Sequence, residues 1–240
     1  NNNEKEIFNH IKNSDKKVIF DVGSFKGKFT EKIIKIDETK KKTKFFLFDP
    51  NPKGFTYIKK LKKKHRNITY NCVGLDDQIK EKIFHLNKFF EASGSSFQTI
   101  LKNDKKWNFS RRKILELFNI FNKSKLEEFK KIKVKTNTID NFCKKKKIKK
   151  IDLLKIDAEG HEEYILKGSK NLLKKNKINV IYLEVLSQKK NFQFKKNKII
   201  NFLGKFGFNF IKEYPIKSVS IFSDLKSSDL LFSNENYESK

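Results

Sequence analysis

The sequence predicts an α/β protein: a Rossmann-like, doubly wound and mostly parallel sheet of seven strands that ends in an antiparallel hairpin. Three observations carry that prediction. Apolar runs of strand length recur along the chain, and amphipathic stretches of helical period lie between them. Two of the runs stop at an acid followed by a glycine-containing turn, Val18-Ile19-Phe20 at Asp21 and Ile151–Ile156 at Asp157. The last two apolar stretches, Gly207–Ile211 and Leu230–Phe232, read as strands that pair with each other.

In chain order, residues 4–12 carry Ile7, Phe8 and Ile11, a short amphipathic helix before the first strand. Phe29, Ile33 and Ile36 give the next segment a helical period up to about Ile36. A second strand, Lys44–Phe48, ends at Asp49-Pro50, because proline cannot continue a ladder. Asn51 is suited to cap a helix with Pro52 at its first position, and Phe55, Ile58 and Leu61 line one face of that helix. Asn67–Val73 alternates as a third strand, Gly74-Leu75-Asp76-Asp77 reads as a turn, and Glu81–Leu86 as another strand. Ala92–Ser96 is rich in Gly and Ser and reads as a loop.

Residues 102–130 interrupt the alternation. Ile114, Leu117, Phe118 and Phe121 fall at i, i+3, i+4 and i+7, so a helical insertion at about 102–130 is expected, packed on the domain or covering the substrate. A strand at Lys131–Thr136, a short helix at Ile139–Cys143 and a solvated lysine run follow. Beyond Asp157 come a helix over 162–175, the strand Val180–Val185 with Glu184 inside it, and a helix carrying Phe192, Ile199, Ile200 and Leu203. Asn234–Lys240 reads as a frayed tail.

The whole chain, 1–240, is expected to form one domain, since its length supports a full core. No apolar run approaches the ~18 residues of a membrane span, and the first residues are too polar for a signal peptide. Cys72 and Cys143 lack metal-site spacing and fit a reducing compartment, so a cytoplasmic protein is expected. The formal charge of +28 raises nucleic-acid binding. Against it, the cations are nearly all lysines spread along the chain, with Arg only at 66, 111 and 112. Arginine is the side chain suited to bidentate phosphate and base contacts, and the abundance of Lys, Asn, Ile and Phe is what AT-rich codons produce. A nucleic-acid partner is therefore not favoured.

The stretch KVIFDVGSFKGKFT at 17–30 places Asp21, Gly23, Ser24 and Gly27 at a strand-to-helix turn. Its spacing is not the G-x-G-x-x-G of a dinucleotide site, and Phe29 stands where a phosphate loop needs Ser or Thr after Gly-Lys. D-x-G-x-x-x-G does have the shape of the first motif of S-adenosylmethionine (SAM) methyltransferases. A turn that needs glycine only for packing explains these residues equally well. The second anchor is LLKIDAEGHEEYILKG at 153–168, where Asp157, Glu159, Gly160 and His161 crowd one strand end.

Together these pieces resemble the FkbM-type family of SAM-dependent methyltransferases. FDVGSFKGKFT (20–30), LFDPNP with Phe55, VKTNTIDNFC (134–143), IDLLKIDAEGHEEYILKG (151–168), IYLEV (181–185) and DLLFSN carry the resemblance over roughly residues 15–235, apart from 102–130. Ser24-Phe25 stands where the family often has Ala-Asn, and Asp49 where Glu is common. The resemblance implies a class I methyltransferase fold with SAM as cofactor, and methyl transfer to a hydroxyl of a sugar, glycan or small hydroxylated metabolite. It implies that Asp21, Gly23, Ser24 and Gly27 cradle the methionine part and ribose, that Asp49 binds the ribose hydroxyls, that Gly74 and Asp76 lie near adenine, and that Asp157 lies near the SAM amine. His161 is then the first choice for the base, because an ordinary imidazole titrates near neutrality, with Glu159 and Asp157 as alternates. A divalent cation at Asp157, Glu159 or Glu184 is compatible with the resemblance, although no spacing demands a metal. A nucleic-acid methyltransferase and a non-catalytic module of a longer protein are the alternative functions.

Overall fold

The computed structural model describes residues 2–37, 42–87, 96–97, 129–215 and 224–237. The helical insertion expected at about 102–130 lies mostly outside them, as does most of the loop 92–96. Within the described residues the chain builds a seven-stranded sheet, in the order Ile68–Asn71, Lys44–Phe48, Val18–Val22, Ile151–Ile156, Ile178–Gln188, Leu225–Asn234, Phe208–Pro215, and a three-stranded sheet, in the order Gly74–Leu75, Phe129–Asn137, Glu81–Asn87.

The first half lays down α1 (Asn2–Asn9), β1 (Val18–Val22), α2 (Lys28–Ile36), β2 (Lys44–Phe48), α3 (Gly54–Lys64) and β3 (Ile68–Asn71). All three strands are parallel, with Val18 opposite Lys44 and Phe45 opposite Ile68. The chain then returns to the other side of β1. There β7 (Ile151–Ile156) pairs with β1, and β8 (Ile178–Gln188) pairs with β7, both parallel. The crossover puts a topological switch between β1 and β7, where the strand ends open a crevice. As expected, β9 (Phe208–Pro215) and β10 (Leu225–Asn234) form an antiparallel hairpin, and β10 runs antiparallel to β8.

Between the halves lie β4 (Gly74–Leu75), β5 (Glu81–Asn87), β6 (Phe129–Asn137) and α4 (Ile139–Lys146). Gly74-Leu75 is thus not a turn. It bridges in parallel to Thr136-Asn137, while β5 and β6 pair antiparallel, Glu81 opposite Lys135. This second sheet stands beside the crevice, and a period-2 pattern by itself does not say which sheet a strand joins.

The helix expected over 162–175 is broken into α5 (Glu162–Lys167) and α6 (Lys170–Lys174), before α7 (Lys189–Gly204). At the break, a Cβ on Gly168 would lie 2.1 Å from the carbonyl oxygen of Asp76, so only glycine lets these backbones meet. Asn51 does not cap α3. Its side chain accepts the N–H of Lys53 (3.0 Å), and the helix starts two residues later than expected. The described part of the C-terminal tail is anchored: Glu235 N–H donates to Gly207 O at 2.8 Å, and Tyr237 packs on the core.

Alternate strand residues fill two cores, one on each face of the main sheet. Phe20, Leu154 and Ile181 face α4, α5 and α7, whereas Ile19, Leu153 and Val180 face α1, α2 and α3. Because both faces are covered, the central strands are mostly apolar, and β7 is buried at every residue. Against that background the polar residues at the strand ends, and one lysine inside β7, need another reason to be there.

Candidate active site

Three strand ends are laced together at the switch point. Gly23 has φ +73°, and a Cβ there would lie 1.7 Å from the carbonyl oxygen of Asp157. Gly23 N–H donates to Phe48 O (2.9 Å), and Asp157 N–H to Val22 O (3.0 Å). Lys155 is the lysine inside β7, 6% exposed. Its ammonium sits 3.1 Å from Asp21 Oδ1 and 3.4 Å from Asp157 Oδ2, and reaches the carbonyls of Val22 and Gly23 at 3.3 Å. These carboxylates hold the ammonium well above its ordinary pKa against the opposing effect of burial, so it stays charged. Asp21 is fully buried, and its second oxygen accepts the Thr30 hydroxyl at 2.7 Å.

Two pockets meet at this lacing and share Gly23, Phe25 and Asp157. The first encloses about 100 Å³ and is apolar on one side, with Val73, Leu75, Phe84, Phe97 and Ile165. Asp49 stands on its other side. Its carboxylate is aimed by two backbone donors, Phe25 N–H at 2.9 Å and Asn51 N–H at 2.8 Å. Burial still pushes it up to about 6, because two donors do not replace its lost hydration. Such a group favours a ligand bringing two more hydroxyl donors, as a ribose diol does, and the flat apolar wall beside it suits a purine. The residues present therefore fit the nucleoside part of SAM.

The second pocket, about 340 Å³, is polar and carries Glu4 from α1, Asp157, Glu184 and Asp229 around Lys155, with Ser24, Lys26, Lys28, Phe29 and Tyr182. Glu184 and Asp229 are directly opposite across β8 and β10. The Tyr182 hydroxyl donates to Asp229, and the Ser227 hydroxyl to Glu184. Tyr182 and Phe29 are stacked, with ring centroids 6.1 Å apart.

The expected residues divide. Gly23, Asp49, Asp157, Glu159 and His161 face the first pocket, and Gly23, Ser24 and Asp157 the second. Gly27 faces neither. It starts α2 at φ +72°, and a Cβ there would press on Ile58 at 2.6 Å, so its glycine serves packing. Asp21 acts from behind through Lys155. Gly74 leaves room for the Phe97 ring, 2.3 Å from where its Cβ would be, and Asp76 is fully buried behind the apolar wall.

His161 is not placed as a base. It is 1% exposed, stacked on Tyr164 at 4.7 Å, and its Nε2 lies 3.1 Å from Asp76 Oδ1. Burial pushes the imidazole down to about 4 despite Asp76, so at neutral pH it is uncharged and donates its Nε2–H to that carboxylate. Asp76 is kept ionised, below its ordinary value, because Lys82 (2.6 Å), Asp77 N–H and His161 outweigh its burial. An imidazole spent in this way braces Asp76 and accepts a proton poorly at neutral pH. Among the described residues no group of three or more His, Cys, Asp or Glu is arranged to hold a metal ion. Within the same residues, no helix is long and apolar enough to cross a membrane.

Lys155, Asp229 and Tyr182 escaped the sequence reading. Lys155 had a signal, a lone cation inside an otherwise apolar parallel-strand run. Asp229 and Tyr182 had none, since their pairing exists only through the β8–β10 register.

Comparison with known proteins assigns the chain to a family. The family model of the methyltransferase FkbM domain matches residues 21–210. A methyltransferase FkbM from Methylobacillus flagellatus KT is similar in structure, with TM-score 0.53 and 11% identity, over 91% of this chain and 44% of that one. The chain thus spans less than half the length of that protein. An N-methyltransferase, NodS from Bradyrhizobium japonicum WM9, aligns at TM-score 0.45 and 10% identity over 97% and 94% of the two chains. Trm5b from Pyrococcus abyssi aligns at 0.49 and 12% over 96% and 48%. At 11% identity the likeness to the Methylobacillus protein speaks to fold alone. No curated protein matches the sequence.

Proposed function

The chain belongs to the FkbM methyltransferase family of SAM-dependent enzymes, and from that premise we propose that it methylates a hydroxyl of a sugar, glycan or small hydroxylated metabolite as a single methyltransferase domain. When bound, SAM would supply an activated methyl group to the acceptor oxygen, with its sulfur leaving as a neutral thioether, and this chain's residues would take the acceptor proton. Asp49 would hold the ribose hydroxyls, and Val73, Leu75 and Phe97 would flank adenine. Gly23, Ser24 and Asp157 would receive the methionine part where the pockets join. Orienting the two reactants can supply roughly 7–11 kcal/mol of the barrier.

The observation that favours a hydroxyl acceptor over nucleic acid is the charge of the second pocket. In a chain of net charge +28, four acids collect there among three lysines, Lys26, Lys28 and the buried Lys155. Such a cluster of carboxyl groups offers acceptors for the hydroxyls of a sugar or small metabolite. Asp157-Ala158-Glu159-Gly160 also lacks the Asn/Asp-Pro-Pro-aromatic run of base-amine methyltransferases. A reducing, cytoplasmic setting belongs to the same reading and is supported by two free thiols, Cys72 and Cys143.

Calorimetry with SAM and S-adenosylhomocysteine (SAH), followed by methyl-labelled SAM offered to oligosaccharides and to RNA, tests the proposal. Binding of both ligands with label on oligosaccharide is expected. Label on RNA alone would overturn the acceptor class, and no binding at millimolar ligand would overturn the cofactor.

A further inference from the structure

The carboxylates of the second pocket are met by different neighbours. Asp157 shares Lys155 with Asp21, at 3.4 and 3.1 Å. Asp229 accepts the Tyr182 hydroxyl, and Glu4 pairs with Lys32 at 2.5 Å. Glu184 accepts the Ser227 hydroxyl and shares a hydrogen bond with Asp157, and among the described residues it has no ion-pair partner. It projects from the middle of β8, opposite Asp229, into the pocket that Asp157 also lines. Resting on the cofactor reading above, we propose that Glu184 is the general base of methyl transfer, and that a sulfonium cation occupying this pocket brings it to the ionised form in which it acts.

The groups facing Glu184 come from every element around it. Asp157 and Glu159 lie beyond β7, Asp229 is on β10, Glu4 on α1, and Lys155 stands behind Asp157. Burial, then the charges of Asp157 and Glu159, and a hydrogen bond shared with Asp157 drive Glu184 well above the ordinary carboxylate range, while the Ser227 hydroxyl acts in the opposite sense. A protonated glutamate cannot act as a base. A cation beside it reverses the balance, because an opposite charge within about 4–6 Å favours the ionised form. The resulting carboxylate stays more basic than an exposed glutamate, which suits proton removal near neutral pH. In the transfer step Glu184 takes the acceptor O–H proton as the O–CH₃ bond forms, and later loses it to solvent at the pocket mouth.

The test needs no acceptor. SAM and SAH share ribose, adenine and amino acid and differ at sulfur, so SAM carries the sulfonium and SAH does not. Calorimetry of each at pH 7, in buffers of different ionisation enthalpy, counts protons released on binding. SAM is expected to release ~0.5–1 proton more than SAH. Glu184→Gln should abolish that difference while keeping SAH affinity within about threefold, since Gln preserves the shape and the Ser227 hydrogen bond. Ser227→Ala, which leaves Glu184 in place but removes its donor, should move the pH of half-maximal release upward. Equal release with SAM and SAH, or a difference that persists in Glu184→Gln, overturns the inference and leaves the methyltransferase reading intact. Failure of both ligands to bind overturns the reading and the inference together.

Discussion

Lys155 is the place where fold and site depend on one charge. Replacing it with Met keeps the length of the side chain and removes the ammonium. Asp21 then sits fully buried with the Thr30 hydroxyl as its remaining side-chain donor. At 3.1 Å and an effective dielectric constant of ~20, the lost Coulomb attraction is about 5 kcal/mol. Relief from burying the ammonium offsets part of this, and breaking a buried pair by removing one partner costs about 3–5 kcal/mol. Asp157, 44% exposed at its side chain, adds little because water screens it. Urea denaturation of Lys155→Met should therefore show a loss of about 3–5 kcal/mol. The double variant Lys155→Met/Asp21→Asn, which removes the stranded charge, should recover all but ~1–2 kcal/mol. A single-variant loss under ~1 kcal/mol, or a double variant as unstable as the sum of the two singles, would refute the reasoning.

Three further outcomes are expected. Gly23→Ala meets both a left-handed backbone and the Asp157 carbonyl 1.7 Å from the new Cβ. It should cost at least ~2 kcal/mol in thermal unfolding and abolish SAM binding in a filter assay. Asp49 has its pKa raised to about 6, and its ionised form is the better acceptor for ribose hydroxyls. SAH affinity should therefore rise with pH from 5 to 7 and level off above, and the slope should vanish in Asp49→Asn. For His161, the folded pKa of about 4 lies below the ordinary 6.5, so the unfolded chain binds the extra proton between these values. Its contribution to stability falls as pH drops from 6.5 to 4, and His161→Gln should remove that part of the acid dependence in pH-resolved denaturation. The same variant should leave the pH dependence of proton release on SAM binding unchanged near neutrality.

Strand ends that stop at an acid and then turn on glycine were legible because they are local: apolar run, Asp21 or Asp157, Gly23 or Gly160, then a helical period. The parallel order, the terminal hairpin and the facing of Asp49, Asp157 and Ser24 toward a pocket followed from that pattern and from the family resemblance. The neighbours of these residues in space were not legible. Gly27 and Gly23 look alike in sequence, yet one packs on Ile58 and the other yields to a carbonyl. His161 reads as an ordinary imidazole until folding buries it against Asp76, 85 residues away in the chain, and lowers its proton affinity. Glu184 reads as a stray charge in an apolar strand until β10 brings Ser227 and Asp229 beside it. Periodicity and turn chemistry act over a few residues, so the sequence by itself determined most of the elements and put Ser24, Asp49 and Asp157 at strand ends. Proton affinities depend on burial and on charges within several ångströms, so only the tertiary structure decided which of the acids, and whether His161, can carry a proton where the chemistry needs it.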